Sequence, residues 1–155
     1  MAGDSSRDVE RDIDALEAAF SRLGLLWKAN IRDFAAAMHP ELRPAGWHVL
    51  RQVLRGDDRA EPMTVSEIIH ATQMDKSVVS RQLRALKEFG LVELERSEAD
   101  ARVFVVRCTD EARRRFAEVR AMQRRLYQRG VATWSPEDVA RFAELFTKFV
   151  TTAGE

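Results

Sequence analysis

The chain has 155 residues, 45% hydrophobic and 32% charged, with 25 basic and 25 acidic side chains and a net charge of zero. That length suffices for one domain with its own core, or for a binding part plus an assembly part, and the zero charge does not by itself favour a nucleic-acid binder. No apolar run approaches membrane-spanning length, and the polar, acidic Met1–Ser6 has no signal-peptide core. A single Cys rules out an intramolecular disulfide, so a cytoplasmic setting is expected.

Asp8 to Met38 reads as one long helix. Val9, Ile13, Leu16, Phe20, Leu23, Trp27, Asn30 and Phe34 alternate steps of four and three, a heptad-like seam with one polar member. Such a seam is longer than one small domain needs and requires a partner helix, in this chain or in a second copy. Gly24 is a local weak point, and Pro40 ends the helix. Pro44 to Arg55 is a second helix with Pro in its first turn, Trp47, Leu50, Val53 and Leu54 on its apolar side, and Gly56 as its cap. Asp57 to Pro62 then reads as a polar loop, with Asp57-Asp58 solvated.

Thr64 followed by Glu67, just before Ile68-Ile69, is a capping box: each side chain satisfies a backbone N–H that the first helical turn leaves unpaired. The polar pair Thr72-Gln73 cuts this helix short. Asp75 is placed to cap a second one, Lys76 to Phe89, with Gly90 just past its end. Val79, Leu83 and Leu86 form its buried stripe, while Lys76, Ser77, Ser80, Arg81, Arg84 and Lys87 lie opposite. A short helix, a tight turn and a basic, hydroxylic helix make a helix-turn-helix whose second helix reads DNA. Thr64 to Arg107 holds seven bases and seven acids, but four of the bases and no acid fall within Lys76–Lys87. Segregation, not total charge, is what meets phosphate.

Leu91–Glu95 alternates apolar and polar residues, and Val103–Arg107 does so less cleanly. With the polar Arg96–Arg102 between them they read as two antiparallel strands and an exposed tip, a wing. Thr109 opens a helix to about Gln128, with Ala112, Phe116, Val119, Met122, Gln123 and Leu126 inward and Gly130 as its stop. Ser135-Pro136 starts the last helix, whose Val139, Phe142, Ala143, Phe146, Phe149 and Val150 keep helical spacing. The first helix and the last two carry stripes that a wing domain does not need, so they are expected to intertwine with a second copy.

Ser80-Arg81, Gly90-Leu91-Val92, Arg96, Asp100-Ala101-Arg102 and the helix-opening Thr109 together resemble the MarR family of winged-helix transcription regulators. The resemblance implies a mainly α (α+β) fold: a winged helix-turn-helix with a two-stranded β-wing at 41–108, flanked by dimerisation helices at 1–40 and 109–155. It implies a homodimer binding a pseudo-palindromic operator in double-stranded DNA, with repression relieved by a small aromatic or amphipathic effector. The effector pocket of the family lies between the first, second and fifth helices, so Trp27, Phe34 and Trp47 are its candidates here, although aromatic residues at helical spacing more often form core. The family's peroxide sensors carry a reactive Cys in the first helix, where this chain has none. Departures are Ala112, where the family often has Gly, and a wing rich in acids.

Lys76 and Ser77, in the first turn, suit phosphate or base edges, Arg81 and Arg84 suit guanine O6 and N7, and Lys87 suits phosphate. Arg102 is the candidate for the minor groove, with Asp100 holding its guanidinium; Arg96 contacts phosphate or braces the wing. The competing reading of these wing charges is a solvated salt bridge of little worth. Cys108 reads as a small buried hydrophobe. His39, His48 and His70 have no metal spacing, and Arg113-Arg114-Arg115 reads as a solvated face. No cofactor, metal or membrane partner is expected. Neither is enzymatic chemistry, since no nucleophile–base pair, phosphate loop or carboxylate pair can be placed together. The alternative function is a winged-helix protein scaffold without specific DNA binding, which the acidic wing favours slightly.

Overall fold

A computed structural model describes residues 2–59, 61–97, 100 and 102–153, with side chains from Asp8 onward. Glu98, Ala99 and Ala101 of the expected wing tip, and Ala60 of the expected polar loop, lie outside the described residues. The described elements run α1 (Ala2–Met38), α2 (Pro44–Asp58), β1 (Met63–Thr64), α3 (Val65–Thr72), α4 (Lys76–Glu88), β2 (Val92–Arg96), β3 (Phe104–Cys108), α5 (Asp110–Gly130) and α6 (Pro136–Ala153). They fall into two compact units, 1–117 and 118–155.

The core of the first unit is built from the stripes that the sequence displays. Val49, Leu50, Val53 and Leu54 of α2, Ile68 of α3 and Val79, Leu83 and Leu86 of α4 are all buried, with Leu91, Val92 and Val106 closing the side toward the sheet. Trp47 and Phe34 join α2 to α1 there, each almost fully buried.

The capping box forms as the spacing requires. The Thr64 N–H donates to Glu67 Oε2 at 2.7 Å, and the Glu67 N–H donates to Thr64 Oγ1 at 3.2 Å. The Thr64 N–H, together with the Thr64 hydroxyl donating to the same Oε2 at 2.9 Å, holds the Glu67 carboxyl below its ordinary value. A depressed carboxyl contributes stability that is complete above the unfolded value of about 4.3 and lost as pH falls through the folded one. Thr64→Ala should therefore cost about 1 kcal/mol in chemical denaturation at neutral pH. The gap to the wild type should close as the acid limb passes below pH ~4. A gap independent of pH would show that Glu67 takes no part in it.

Four features depart from the sequence expectation. The sheet has three strands, in the order β1-β3-β2, not two: Met63 pairs with Val106 and Thr64 with Val105. Thr64 thus ends a strand and caps a helix at once. Gly56 lies inside α2 and does not cap it. The chain folds back so closely that a Cβ there would meet Glu61 O at 2.6 Å and Met63 Cγ at 2.9 Å. Asp57 and Asp58 belong to the last turn of α2, not to a solvated loop. Finally, α1 is helical from Ala2, ahead of the expected start at Asp8.

In the second unit, Ser135 caps α6 by accepting the Asp138 N–H at 3.1 Å. The apolar side of α6 remains exposed in the single chain, with Phe142 T-shaped on Trp134 and stacked on Phe146. The N-terminal two-thirds of the α1 seam, including Val9, Ile13, Leu16 and Leu23, is exposed as well.

Candidate nucleic-acid interface

Gln73 makes the turn that sets α4 on α3. It adopts the left-handed conformation at φ 54°, donating its N–H to Ile69 O at 3.0 Å and its side-chain Nε2 to the His70 carbonyl at 2.6 Å. Asp75 occupies the N-cap of α4, but its carboxylate makes no capping bond, contrary to expectation. The first-turn N–H groups of α4 therefore keep their affinity for another acceptor, and the helix has no acid in that turn. At the other end Gly90, at φ 68°, completes a Schellman turn, with Leu91 N–H on Leu86 O at 2.9 Å.

The buried stripe of α4 fixes what the other side presents. Lys76, Ser77, Ser80, Arg81, Arg84 and Lys87 are all exposed together on a helix of 13 residues, about 20 Å long. A helix of that length enters a major groove about 12 Å wide by its end or its side.

The wing hairpin stands beside it. Glu95 is ion-paired with Arg107 at 2.9 Å, which neutralises one wing acid, and the Arg96 guanidinium lies 5.3 Å from the centre of the Phe104 ring. Arg96 thus lies against the Phe104 ring of its own hairpin. Asp100 does something other than expected. Its carboxylate accepts the backbone N–H of Arg102 at 2.9 Å, not the guanidinium, while its carbonyl accepts the Val103 N–H at 2.9 Å. A short Asp side chain reaches the N–H two residues on more easily than it reaches the end of a long Arg. Asp100 therefore shapes the turn, and the Arg102 side chain projects into solvent.

Sequence reasoning missed one charged centre. The Asp57 side chain is only 7% exposed. It accepts the Cys108 N–H at 3.1 Å and Arg113 Nε and Nη2 at 3.2 and 2.8 Å. Burial, reinforced by the Asp57 carboxylate, pushes the Cys108 thiol up to about 12, so it is a protonated hydrophobe at neutral pH. The three adjacent arginines are engaged: Arg113 also with Asp110, Arg114 with Glu111, and Arg115 with Glu111 and the Met38 carbonyl. His39 stacks on Phe89 at 4.0 Å, and His48 and His70 are exposed.

Of the three aromatic residues assigned to an effector, Phe34 and Trp47 meet, with ring centres 6.4 Å apart, and the Phe116 ring of α5 lies 6.2 Å from that of Trp47. Trp27 is half-buried two turns back along α1. The indole N–H of Trp47 is buried and has no acceptor among the described residues.

A capped helix, a left-handed turn, a second helix with a basic outer face and a braced hairpin define a winged helix-turn-helix protein. Residues 42–103 match the model of the MarR family. A MarR family protein from Bacillus stearothermophilus is 20% identical, with 94% of this chain and 98% of that one covered and a TM-score of 0.79. RV1404 from Mycobacterium tuberculosis is 16% identical, with 92% and 95% covered and a TM-score of 0.77. A mutant S. aureus MepR bound to an oligodeoxyribonucleotide is 17% identical, with 89% and 97% covered and a TM-score of 0.64. No curated protein matches the sequence significantly. No described helix is long and apolar enough to cross a membrane.

Proposed function

We propose that the protein is a homodimeric, sequence-specific regulator that binds a pseudo-palindrome in double-stranded DNA and represses transcription until a small ligand releases it. The observation that carries this reading is the outer face of α4, where four cations and two hydroxyls are exposed with no acid before Glu88 at the helix end. Arg81 and Arg84 read guanine, Lys76, Ser77 and Lys87 hold phosphate, and Arg102, presented by the Asp100 turn, enters the minor groove. The exposed seams of α1 and α6 support pairing with a second copy, which sets two α4 helices about 34–36 Å apart, one turn of DNA.

The ligand reading rests on Trp47. A buried donor without an acceptor costs about 1–3 kcal/mol, so an aromatic ligand bearing a carbonyl or carboxylate beside Phe34 and Phe116 would relieve that cost. Such a ligand releases DNA only by favouring a dimer whose α4 helices are misplaced for the two half-sites.

The test is selection of duplexes from random DNA, followed by a salt series on the enriched sequence and its scrambled counterpart. Enrichment of a palindrome whose binding weakens steeply with salt is the expected result. Equal, weak binding to both duplexes would favour the protein-scaffold reading instead.

A further inference from the structure

We propose that Asp57 is a positioning residue for the DNA-reading wing: its buried carboxylate clamps the root of the hairpin and the start of α5 to the end of α2. The inference rests on the wing's role in DNA binding given above. All three donors meet one oxygen, Oδ2: the Cys108 N–H, Arg113 Nε and Arg113 Nη2. Cys108 is the last residue of β3 and pairs with Val92, the first of β2, so the bond fixes the hairpin where it leaves the core. From there β3 runs out to Phe104 and on to Arg102, a lever of about 20 Å. A small tilt at its root is magnified at the tip. Arg113 sits in the first turn of α5, and Thr109, just before it, donates its hydroxyl to Gly90 O at 2.7 Å and its N–H to Leu91 O at 3.2 Å. The end of α4, the wing root and the start of α5 therefore share one joint, and Asp57 is its buried charge.

A carboxylate this buried is tolerated only while its donors stay in place, so the joint has one favoured geometry. Displacing the start of α5 must either carry the wing root with it or break the bonds at Oδ2. Asp57, near the end of α2, lies outside the exposed face of α4.

The test is Asp57→Asn, which keeps the shape and one carbonyl acceptor but has no charge to form the ion pair with the guanidinium. In hydrogen exchange without DNA, the amides of Phe104–Cys108 should exchange faster by about tenfold, while those of α4 keep their rates. On a duplex selected with the wild-type protein, Arg102→Ala should reduce affinity strongly in the wild-type background and only slightly in the Asp57→Asn background, the non-additivity expected of a shared lever. A purely structural ion pair would speed exchange everywhere and leave the Arg102→Ala effect intact, and either result overturns the proposal. Arg113→Gln, at a half-exposed position, provides the same two readouts if Asp57→Asn does not fold. A wild type that is indifferent to Arg102→Ala would overturn the wing reading itself, and the exchange arm would then decide the clamp alone.

Discussion

Phe146→Asp should convert the protein to a species of 17.7 kDa in light scattering, half the mass of the expected wild-type dimer, with its helical circular dichroism retained. The reason lies in what one chain leaves uncovered. On α6, Phe142, Leu145, Phe146 and Val150 are between 38% and 54% exposed. Covering one such side chain is worth about 1.5–3 kcal/mol, and a two-fold interface counts each change twice. A carboxylate at the same place must be desolvated without a partner, so the sign of the contribution reverses. The loss should reach DNA as well. Two half-site contacts joined in one molecule bind more tightly than one by roughly 10²–10⁴, an advantage that ends when the copies separate. Ile13→Asp tests the exposed seam of α1 in the same way, and each variant should bind half-site DNA no worse than the wild type does. A wild type that is already monomeric, or a Phe146→Asp protein that stays dimeric, would remove the interface from the proposal.

How far the sequence disclosed this arrangement depends on the range of each interaction. The helix-turn-helix was legible because its determinants are local: Thr64 and Glu67 are three residues apart, and Val79, Leu83 and Leu86 recur with the helical period. The exposed seams were legible for the same reason. Asp57 was not. Two aspartates after a glycine look like a solvated turn, and the donors that bury Asp57 come from 51 and 56 residues further along the chain. Gly56 misled in a related way. The rule that glycine follows a helix fits its position, but the residue is there because the returning segment Glu61–Met63 leaves no room for a Cβ. The strand β1 has two residues, too few for any alternation to show, and one of them is also the α3 cap. At the wing, the spacing of Asp100 and Arg102 pointed correctly to an interaction but to the wrong atoms, because sequence distance does not distinguish a backbone N–H from a guanidinium.

Arg81→Ala and Arg84→Ala are expected to show that the basic face of α4 reads bases and does not merely attract phosphate. Both side chains are exposed beside each other on that face, and Ala is at least as good a helix former, so neither change should unsettle α4 itself. If each guanidinium engages a guanine through O6 and N7, its loss costs roughly 1–3 kcal/mol on the selected duplex and much less on a duplex altered at that base pair. The gap between cognate and altered sites should therefore narrow at one position per variant. Lys87→Ala is the internal comparison. Removing a phosphate-binding ammonium there weakens every duplex alike and lowers the slope of affinity against salt by about one. The two kinds of residue share a helix face and a charge, so composition and exposure cannot separate them; the dependence on base identity can. If Arg81→Ala and Arg84→Ala behaved as Lys87→Ala does, with equal losses on all sequences, α4 would be an electrostatic anchor. The specificity would then have to come from DNA shape sensed at the wing.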